Sequence, residues 1–326
     1  LGERKTILWF ASLSIVVVGI VGPVSALFPS LLIATATMFF FGVGTSVADV
    51  SMNVEGADVE KKMGRNIMPW FHALFSLGTV TGGGVSALAS AASIGVEIHF
   101  PVMALVLIGP TVYSVYLMGG PSGSTADPEK PSTVGSRLAV WKEPRTVLVG
   151  IVALSMAFAE GSANDWLPLA MVDDRGYSNA EGALWFVLFT GAMTIGRIAG
   201  VPVLDRFGRV TVLSGSAIAA LIGLSTVILV PFFWANIVAV ALWGLGTALG
   251  FPVAMSAAAD DPEGGPARVS AVATIAYAAF LIGPPLIGGL AEAFSILGGL
   301  WSVAIVVAIG LVVTPATRSA QTRDSQ

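Results

Sequence analysis

The chain alternates long apolar stretches with short polar connections. A helix needs roughly 20 mostly apolar residues to cross the hydrocarbon core of a bilayer. Ten such stretches occur in the 326 residues, and they lack the strict alternation of barrel strands. The pattern therefore predicts ten membrane-spanning helices, at about residues 7–25, 30–56, 67–92, 100–118, 145–170, 181–206, 210–231, 236–258, 267–292 and 298–315.

The basic residues of the connections predict which way these helices face. Of the 16 Lys and Arg residues, 14 fall in alternate connections counted from the N-terminus. The opposite connections carry Arg175, and Arg197 lies inside a predicted span. Because the basic side of a membrane protein faces the cytoplasm, we expect a multi-pass protein of the cytoplasmic (inner) membrane with both termini in the cytoplasm.

The composition excludes several classes of function. Charged residues make up 11% of the chain, whereas a soluble domain carries about 25%, which excludes an ordinary soluble enzyme and a disordered chain. The net charge of −4 provides no attraction for nucleic acid. Cysteine is absent, and no H-E-x-x-H, G-x-S-x-G or G-x-x-x-x-G-K-[ST] motif occurs. We therefore expect no catalytic residues, no resident metal and no cofactor.

One connection differs from the others and divides the chain. Residues 119–144 are polar and rich in Gly, Pro and Ser. They predict a cytoplasmic linker between an N-terminal bundle of four helices, residues 1–118, and a C-terminal bundle of six helices, residues 145–316. Residues 317–326 then form a cytoplasmic tail.

The two halves contain an internal repeat. Gly42-Val-Gly44-Thr45 recurs as Gly244-Leu-Gly246-Thr247, and Asp58 recurs as Asp260 at the same offset. Paired repeats of this kind are typical of secondary transporters. The register aligns residue 1 with residue 207, so the helices at 145–206 have no counterpart in the first half. It predicts a protein of twelve helices whose first two precede residue 1; a protein of ten helices is the alternative.

Polar residues interrupt two of the predicted spans. A charged side chain in the middle of a bilayer costs roughly 2.5–3.5 kcal/mol and needs a partner, water or a function. Asp49 and Asn53 lie on one helix face, Glu160 and Asn164 repeat that spacing, and Asp165 follows. A carboxylate beside a carboxamide suits a hydroxyl-bearing or cationic solute, and a protonatable acid suits coupling to protons. The alternative is that these side chains bind neighbouring helices.

Two segments carry a family resemblance. Asp205-Arg206-Phe207-Gly208-Arg209 resembles the loop motif G-x-x-x-D-R-x-G-R of the major facilitator superfamily, although Val201 replaces the first Gly and Gly200 lies one place earlier. Leu1-Gly2-Glu3-Arg4-Lys5 resembles the end of the same motif. The resemblance implies an all-α polytopic fold of the major facilitator type with ten of its twelve helices present. Four further stretches resemble the MosC-like branch, namely Asp49–Asn53, Phe71–Gly78, Glu160–Trp166 and Gly283–Gly288.

The resemblance also implies where the polar residues act. The helices that carry Asp49 and Glu160 would line a central cavity, so the five polar residues are candidates for binding solute or protons. The helices that carry His72 and Arg197 would face each other across the two halves. We therefore expect a cluster of Asp49, His72 and Arg197 that changes partners during transport. The alternative is that Arg197 extends to the inner surface and His72 is a satisfied interior histidine.

The loop motif predicts a gate. By the resemblance, Asp205 would face the start of the helix that begins near Arg65–Ile67, where free N–H groups and the helix dipole favour an anion. Arg206 and Arg209 belong to the same candidate latch. A plain loop charge is the alternative for Asp205. We expect Glu60, with Glu55 and Asp58, to form surface ion pairs with Lys61 and Lys62.

These features together predict a secondary active transporter, a permease of the major facilitator superfamily. It would move a small polar solute by alternating access, with protons as a candidate coupling ion. We expect a monomer in the lipid bilayer that binds no nucleic acid. An intramembrane enzyme or a non-transporting membrane scaffold is the alternative.

Overall fold

A computed structural model describes residues 3–28, 30–92, 94–118, 138–260 and 264–318, and all regular structure within them is helical. These residues form twelve α-helices and two 3₁₀ turns, Val140–Lys142 and Thr314–Thr317. The α-helices are α1 Glu3–Leu27, α2 Leu31–Met63, α3 Met68–Ala91, α4 Val96–Leu117, α5 Pro144–Asp173, α6 Asn179–Phe207, α7 Arg209–Leu229, α8 Phe233–Thr247, α9 Gly250–Ala258, α10 Gly265–Ala293, α11 Ile296–Gly299 and α12 Trp301–Val313.

The described helices confirm the predicted all-α membrane architecture. Nine helical stretches in this part of the chain are long and apolar enough to cross a bilayer, and α3 occupies the remaining predicted span, 67–92. The helix α2 continues past the predicted end at residue 56 to Met63. Its last turns are charged rather than apolar, and Lys62 pairs there with Asp58 at 2.5 Å. Hydrophobicity alone therefore underestimates the length of this helix.

The predicted span 236–258 is not one continuous helix. Ala248 and Leu249 separate α8 from α9. In an uninterrupted helix the N–H of residue 252 would bind the carbonyl of Ala248, but Pro252 has no N–H group. The break therefore leaves a backbone acceptor within a membrane span, where every polar group needs a partner.

The connection between α6 and α7 consists of Gly208 alone. This residue has φ 74° and ψ 164°, a region of backbone space that is essentially restricted to glycine. The glycine of the loop motif is thus required for a sharp turn between two spans.

The helix α6 begins, at its N-terminus, with a capping box, in which Ser178 and Glu181 each accept a hydrogen bond from the other's backbone N–H.

The structure divides into two compact units, of which the first comprises Leu1–Glu55 and Leu77–Pro131. Within it α1 packs along α4, and the backbone of Gly22 approaches that of Val96 closely enough to exclude a side chain. The helices α1 and α2 meet where Ser14 Oγ and Thr45 Oγ1 are 3.3 Å apart. Small residues thus set the helix contacts of this unit, as is usual in membranes.

The second compact unit comprises Gly56–Ser76 and Ser132–Gln326. Its central helix is α5, which packs against α6, α9, α10 and α12. The segment Gly56–Ser76 contains the end of α2 and the start of α3, so it joins the C-terminal helices rather than the rest of its own half. The predicted domain boundaries stay predictions, and most of the predicted linker (119–137) and tail (319–326) lies outside the described residues.

Candidate functional site

The second unit contains a buried arginine. Arg197 on α6 is 2% exposed, and its Nη2 donates to Glu160 Oε2 on α5 over 2.9 Å. Its Nη1 donates to Ser76 Oγ and, over 3.3 Å, to the carbonyl of His72, both on α3. Its Nε donates over 3.3 Å to the carbonyl of Ala248, the acceptor freed by the α8–α9 break. We call these five residues the Arg197 cluster.

The cluster satisfies a charge that would otherwise be very costly to bury. A guanidinium group presents five donors in a fixed plane, and here acceptors on α3, α5 and the α8–α9 break surround it. The Glu160 side chain is 18% exposed, so one edge of the ion pair remains accessible. The alternative that Arg197 extends to the membrane surface is wrong, because the side chain is enclosed and paired.

The predicted cluster of Asp49, His72 and Arg197 is found in part. Arg197 contacts His72 through the backbone, while the His72 ring packs edge-on against Phe251 with centroids 5.4 Å apart. The carboxylate that pairs with Arg197 is Glu160. Asp49 belongs to the first compact unit, where its carbonyl accepts a 2.9 Å hydrogen bond from Nδ2 of the buried Asn53.

A second polar network surrounds the start of α3. Glu60 on α2 is 7% exposed, and its Oε2 accepts from the backbone N–H groups of Ile67 and Met68 at 2.8 and 2.9 Å. Its Oε1 accepts from the hydroxyl of Ser256 on α9. A carboxylate is favoured here because the N-terminus of a helix has free N–H groups and a positive dipole end.

The network continues across the ends of the C-terminal helices. Arg209 donates to Ser256 Oγ at 2.8 Å and to Asp260 Oδ1 at 2.6 Å. Arg145, at the start of α5, donates to Asp260 Oδ2 at 2.7 Å. These residues, together with Glu60, are the Glu60 network, which links the ends of α2 and α3 to α5, α7 and α9.

The structure corrects the predicted role of Asp205. Its exposed carboxylate accepts from Asn66 Nδ2 at 2.5 Å, so it does contact the segment that precedes α3. The N–H groups at the start of α3 bind Glu60 instead, and the prediction that Glu60 forms a surface ion pair was wrong. Arg206 also belongs to the predicted latch, and its Cζ lies 5.3 Å from the centroid of the Phe207 ring.

The remaining predicted site residues lie on α5. Asn164 and Asp165 are both exposed, and Asp165 lines a small cavity between α5 and α10. We call this cavity the aromatic pocket. Its lining comprises Phe158, Gly161, Ser162, Asp165 and Trp166 of α5, and Ala279, Phe280, Gly283, Pro284 and Ile287 of α10.

An ion pair outside the spans joins the starts of α5 and α10. Glu143 accepts from Arg268 Nε at 2.6 Å and Nη2 at 2.9 Å, and Thr146 donates to it at 2.8 Å. The hydrogen bonds from Arg268 hold the pKa of the Glu143 carboxyl below its ordinary value of 4.5, and the Thr146 hydroxyl lowers this pKa further. Glu143 is therefore charged at neutral pH and anchors the first turn of α10.

Sequence reasoning missed several residues of these networks. Ser256 and Glu60 have no motif that marks them as functional, and Ser76 lies in the stretch Phe71–Gly78 without a predicted role. Two local signals were available in the sequence. Pro252 indicates a free carbonyl at Ala248. Glu60 precedes the first residue of α3 by eight positions, and the free N–H groups and dipole at the start of a helix favour a nearby carboxylate.

Comparison with known proteins assigns the family. The family model of the Major Facilitator Superfamily matches residues 1–277 and, a second time, residues 149–325. The transporter y4wD of Sinorhizobium fredii is 31% identical over 89% of this chain and 76% of its own length. Membrane protein MosC of Rhizobium meliloti is 25% identical over 89% of this chain and 68% of its own length.

Solved structures support the same assignment at the level of the fold. The crystal structure of the transporter FucP in the outward conformation aligns with a TM-score of 0.82, at 12% identity, over 98% of this chain and 84% of FucP. The chain therefore belongs to the Major Facilitator Superfamily, and it is a multi-pass membrane transporter.

Proposed function

We propose that this protein is a secondary active transporter of the cytoplasmic membrane that moves a small polar solute by alternating access. Both termini lie in the cytoplasm, and the protein acts as a monomer. The observation that carries the proposal is the Arg197 cluster, because it joins α3 of the N-terminal half to α5 and α6 of the C-terminal half through buried polar contacts. In this proposal the two predicted bundles, residues 1–118 and 145–316, tilt relative to each other during transport.

The cluster suits a change of partners. Arg197 reaches α3 through one hydroxyl and one carbonyl, whereas its ion pair with Glu160 and its bond to Ala248 lie within the C-terminal bundle. Separation of α3 therefore breaks two hydrogen bonds and leaves the charge compensated. A typical intramolecular hydrogen bond is worth about 0.5–1.5 kcal/mol net, and one to a charged group about 1.5–3 kcal/mol. In the opened state, hydrogen bonds from Arg197 to solute or water replace the two that are lost.

The Glu60 network is the gate in this proposal. With the predicted orientation, the ends of α2 and α3 face the cytoplasm, so contacts of Glu60 with Ser256 and of Asn66 with Asp205 close the inner end of the pathway. Opening to the cytoplasm breaks both contacts. Glu60 keeps its bonds to the start of α3, because they lie within the same half.

Protons are the proposed coupling ion, and Glu160 is their proposed binding site. Protonation of Glu160 removes the negative charge that holds Arg197. Arg197 then requires another acceptor, and this requirement links proton binding to the rearrangement of the cluster. Asp49 is the second acidic candidate, and the cavity would place it with Asn53 beside the solute.

Distance measurements test alternating access without knowledge of the solute. Cysteine is absent from the 326 residues, so Arg65→Cys with Phe207→Cys, at exposed positions close to Asn66 and Asp205, places two spin labels across the proposed gate and keeps its contacts. In liposomes, double electron–electron resonance should show two populations of the distance between the labels, one short and one long. Labels at the exposed Phe207 and Leu229, both in the predicted C-terminal bundle 145–316, are the control and should give one population.

The same label pair tests proton coupling. We expect the ratio of the two populations to change with pH and to lose that dependence in Glu160→Gln. Asp49→Asn is the matched variant for the other acid. One distance at every pH would contradict alternating access and favour a scaffold, and an unchanged pH dependence in both variants would remove both acids as coupling sites.

A further inference from the structure

Basic side chains gather where the α2–α3 connection meets the end of α6, within the second compact unit. Asn66 Nδ2 donates to Asp205 Oδ1 over 2.5 Å. Arg65 and Arg206 are the chain neighbours of these two residues, each about 3.8 Å away between Cα atoms. Lys61 lies in the last turn of α2. The contact between the two segments thus brings basic residues from distant parts of the chain together, and we call Lys61, Arg65 and Arg206 the basic patch.

The basic patch carries positive charge that the protein itself does not neutralise. Its three side chains are exposed. None of them belongs to an ion pair among the described residues, whose pairs involve other Lys and Arg side chains. Clustered surface charge of one sign raises the local concentration of its counter-ions. The basic patch therefore favours an anionic partner.

The acids near the basic patch have partners of their own. Asp58 is held in an ion pair, and the buried Glu60 accepts from the N–H groups at the start of α3. Asp260 is bound by two arginines. Asp205 accepts from Asn66 and has no cationic partner within the described residues. Three basic side chains therefore stand against one carboxylate, and the patch remains positive.

Exposed apolar side chains place the basic patch at the edge of the membrane spans. Phe207 ends the apolar span of α6, and the Cζ of Arg206 lies 5.3 Å from the centroid of its ring. Met63, at the end of α2, and Trp70, in the first turn of α3, are 53% and 44% exposed. Exposed Trp is typical of the level at which hydrocarbon meets headgroups. The basic side chains thus stand at headgroup height, next to apolar side chains.

We propose that the basic patch binds the headgroup of an anionic phospholipid. The phosphate accepts from Arg65 and Arg206, since guanidinium groups bind phosphate through paired hydrogen bonds, and Lys61 adds attraction at longer range. The acyl chains cover the ring of Phe207. A free phosphate would satisfy the arginines but leave the apolar side chains in water. Lipid binding here does not depend on the transport cycle.

Titration with two lipids tests the charge requirement. The protein, purified in dodecyl maltoside, is titrated with dioleoyl-phosphatidylglycerol and separately with dioleoyl-phosphatidylcholine. Native mass spectrometry measures lipid binding, and thermal unfolding measures the stabilisation that binding confers. We expect the anionic lipid to bind at least about 10-fold more tightly, because its headgroup has no positive charge to oppose the three basic side chains. Added salt should reduce this difference.

Variants locate the binding site. Each basic residue near an anionic lipid surface contributes roughly 5-fold in affinity, so Arg65→Gln with Arg206→Gln should weaken phosphatidylglycerol binding about 25-fold. Lys5→Gln with Lys142→Gln is the matched control, because it removes two exposed cations outside the basic patch, and it should bind like wild type. Arg65→Lys with Arg206→Lys keeps both charges and should retain most of the affinity.

Three results would overturn the assignment. These are equal binding of the two lipids, a double Gln variant that binds phosphatidylglycerol as tightly as the control, or equal stabilisation by glycerol phosphate, which would indicate a site for free anions. Unfolding without added lipid shows whether each variant is folded. If the double Gln variant is not, the single variants Arg65→Gln and Arg206→Gln repeat the test, and each should weaken binding roughly 5-fold.

Discussion

Replacing Glu160 by Gln should destabilise the protein strongly, because it leaves Arg197 buried without its carboxylate. The substitution preserves the size of the side chain and one acceptor oxygen, so it removes little besides the charge. Arg197 is 2% exposed, so solvent does little to replace the lost charge of Glu160. Its remaining acceptors are a hydroxyl and two backbone carbonyls, none of which carries a charge.

The expected magnitude follows from the burial of the pair. Removing one partner of a buried ion pair costs about 3–5 kcal/mol. The Glu160 side chain is 18% exposed and Gln keeps an acceptor, so we expect the lower end, about 3 kcal/mol. Arg197→Gln also destabilises, and the double variant should lose less than the sum of the two by about 2 kcal/mol, as is usual for contacting residues.

Unfolding of the detergent-solubilised variants, followed by tryptophan fluorescence, measures these differences. Glu292→Gln, at an exposed position on α10, is the matched control and should stay within about 0.5 kcal/mol of wild type. The reasoning would be refuted by a Glu160→Gln variant as stable as this control, or by single effects that add in the double variant.

Three further outcomes are expected from the same unfolding measurement. Glu60→Ala should cost about 2–3 kcal/mol, since three buried donors lose their acceptor, while Asp58→Asn in an exposed pair should cost less than about 1 kcal/mol; equal losses would argue against the capping role. Gly208→Ala should cost about 1–3 kcal/mol through backbone strain, whereas Gly191→Ala, with open space around it, should cost little; a neutral Gly208→Ala would contradict the turn geometry. The carboxyl of Glu143 has a folded pKa below 4.5, so its contribution to stability is full above that pH and declines as pH falls through the folded pKa; the advantage of wild type over Glu143→Gln should shrink in acid, and an advantage that persists there would exclude the ion pair as its source.

Membrane spans and fold class were readable from the sequence because they depend on one-dimensional properties. The thickness of the hydrocarbon core sets the length of an apolar stretch, and the basic residues mark alternate connections. The motif Asp205–Arg209 indicated the family, and its Gly208 occupies a backbone conformation that other residues rarely adopt. The polar contacts at the ends of helices were harder to predict from the sequence. The span rule ended α2 near residue 56, so it gave no reason to extend the helix to Glu60.

Which charge pairs with which was decided by the tertiary structure. Arg197 and Glu160 are 37 residues apart, and the sequence favoured Asp49 as the acid that accompanies Arg197. The choice depends on the rotation of each helix about its axis and on its depth, which no local pattern encodes. The aromatic pocket likewise depends on tertiary packing, because the ring of Phe280 packs against Gly161 and the ring of Phe158 packs against Gly283. Hydrophobic periodicity determines that helices form and insert, whereas side-chain packing between them selects the polar partners.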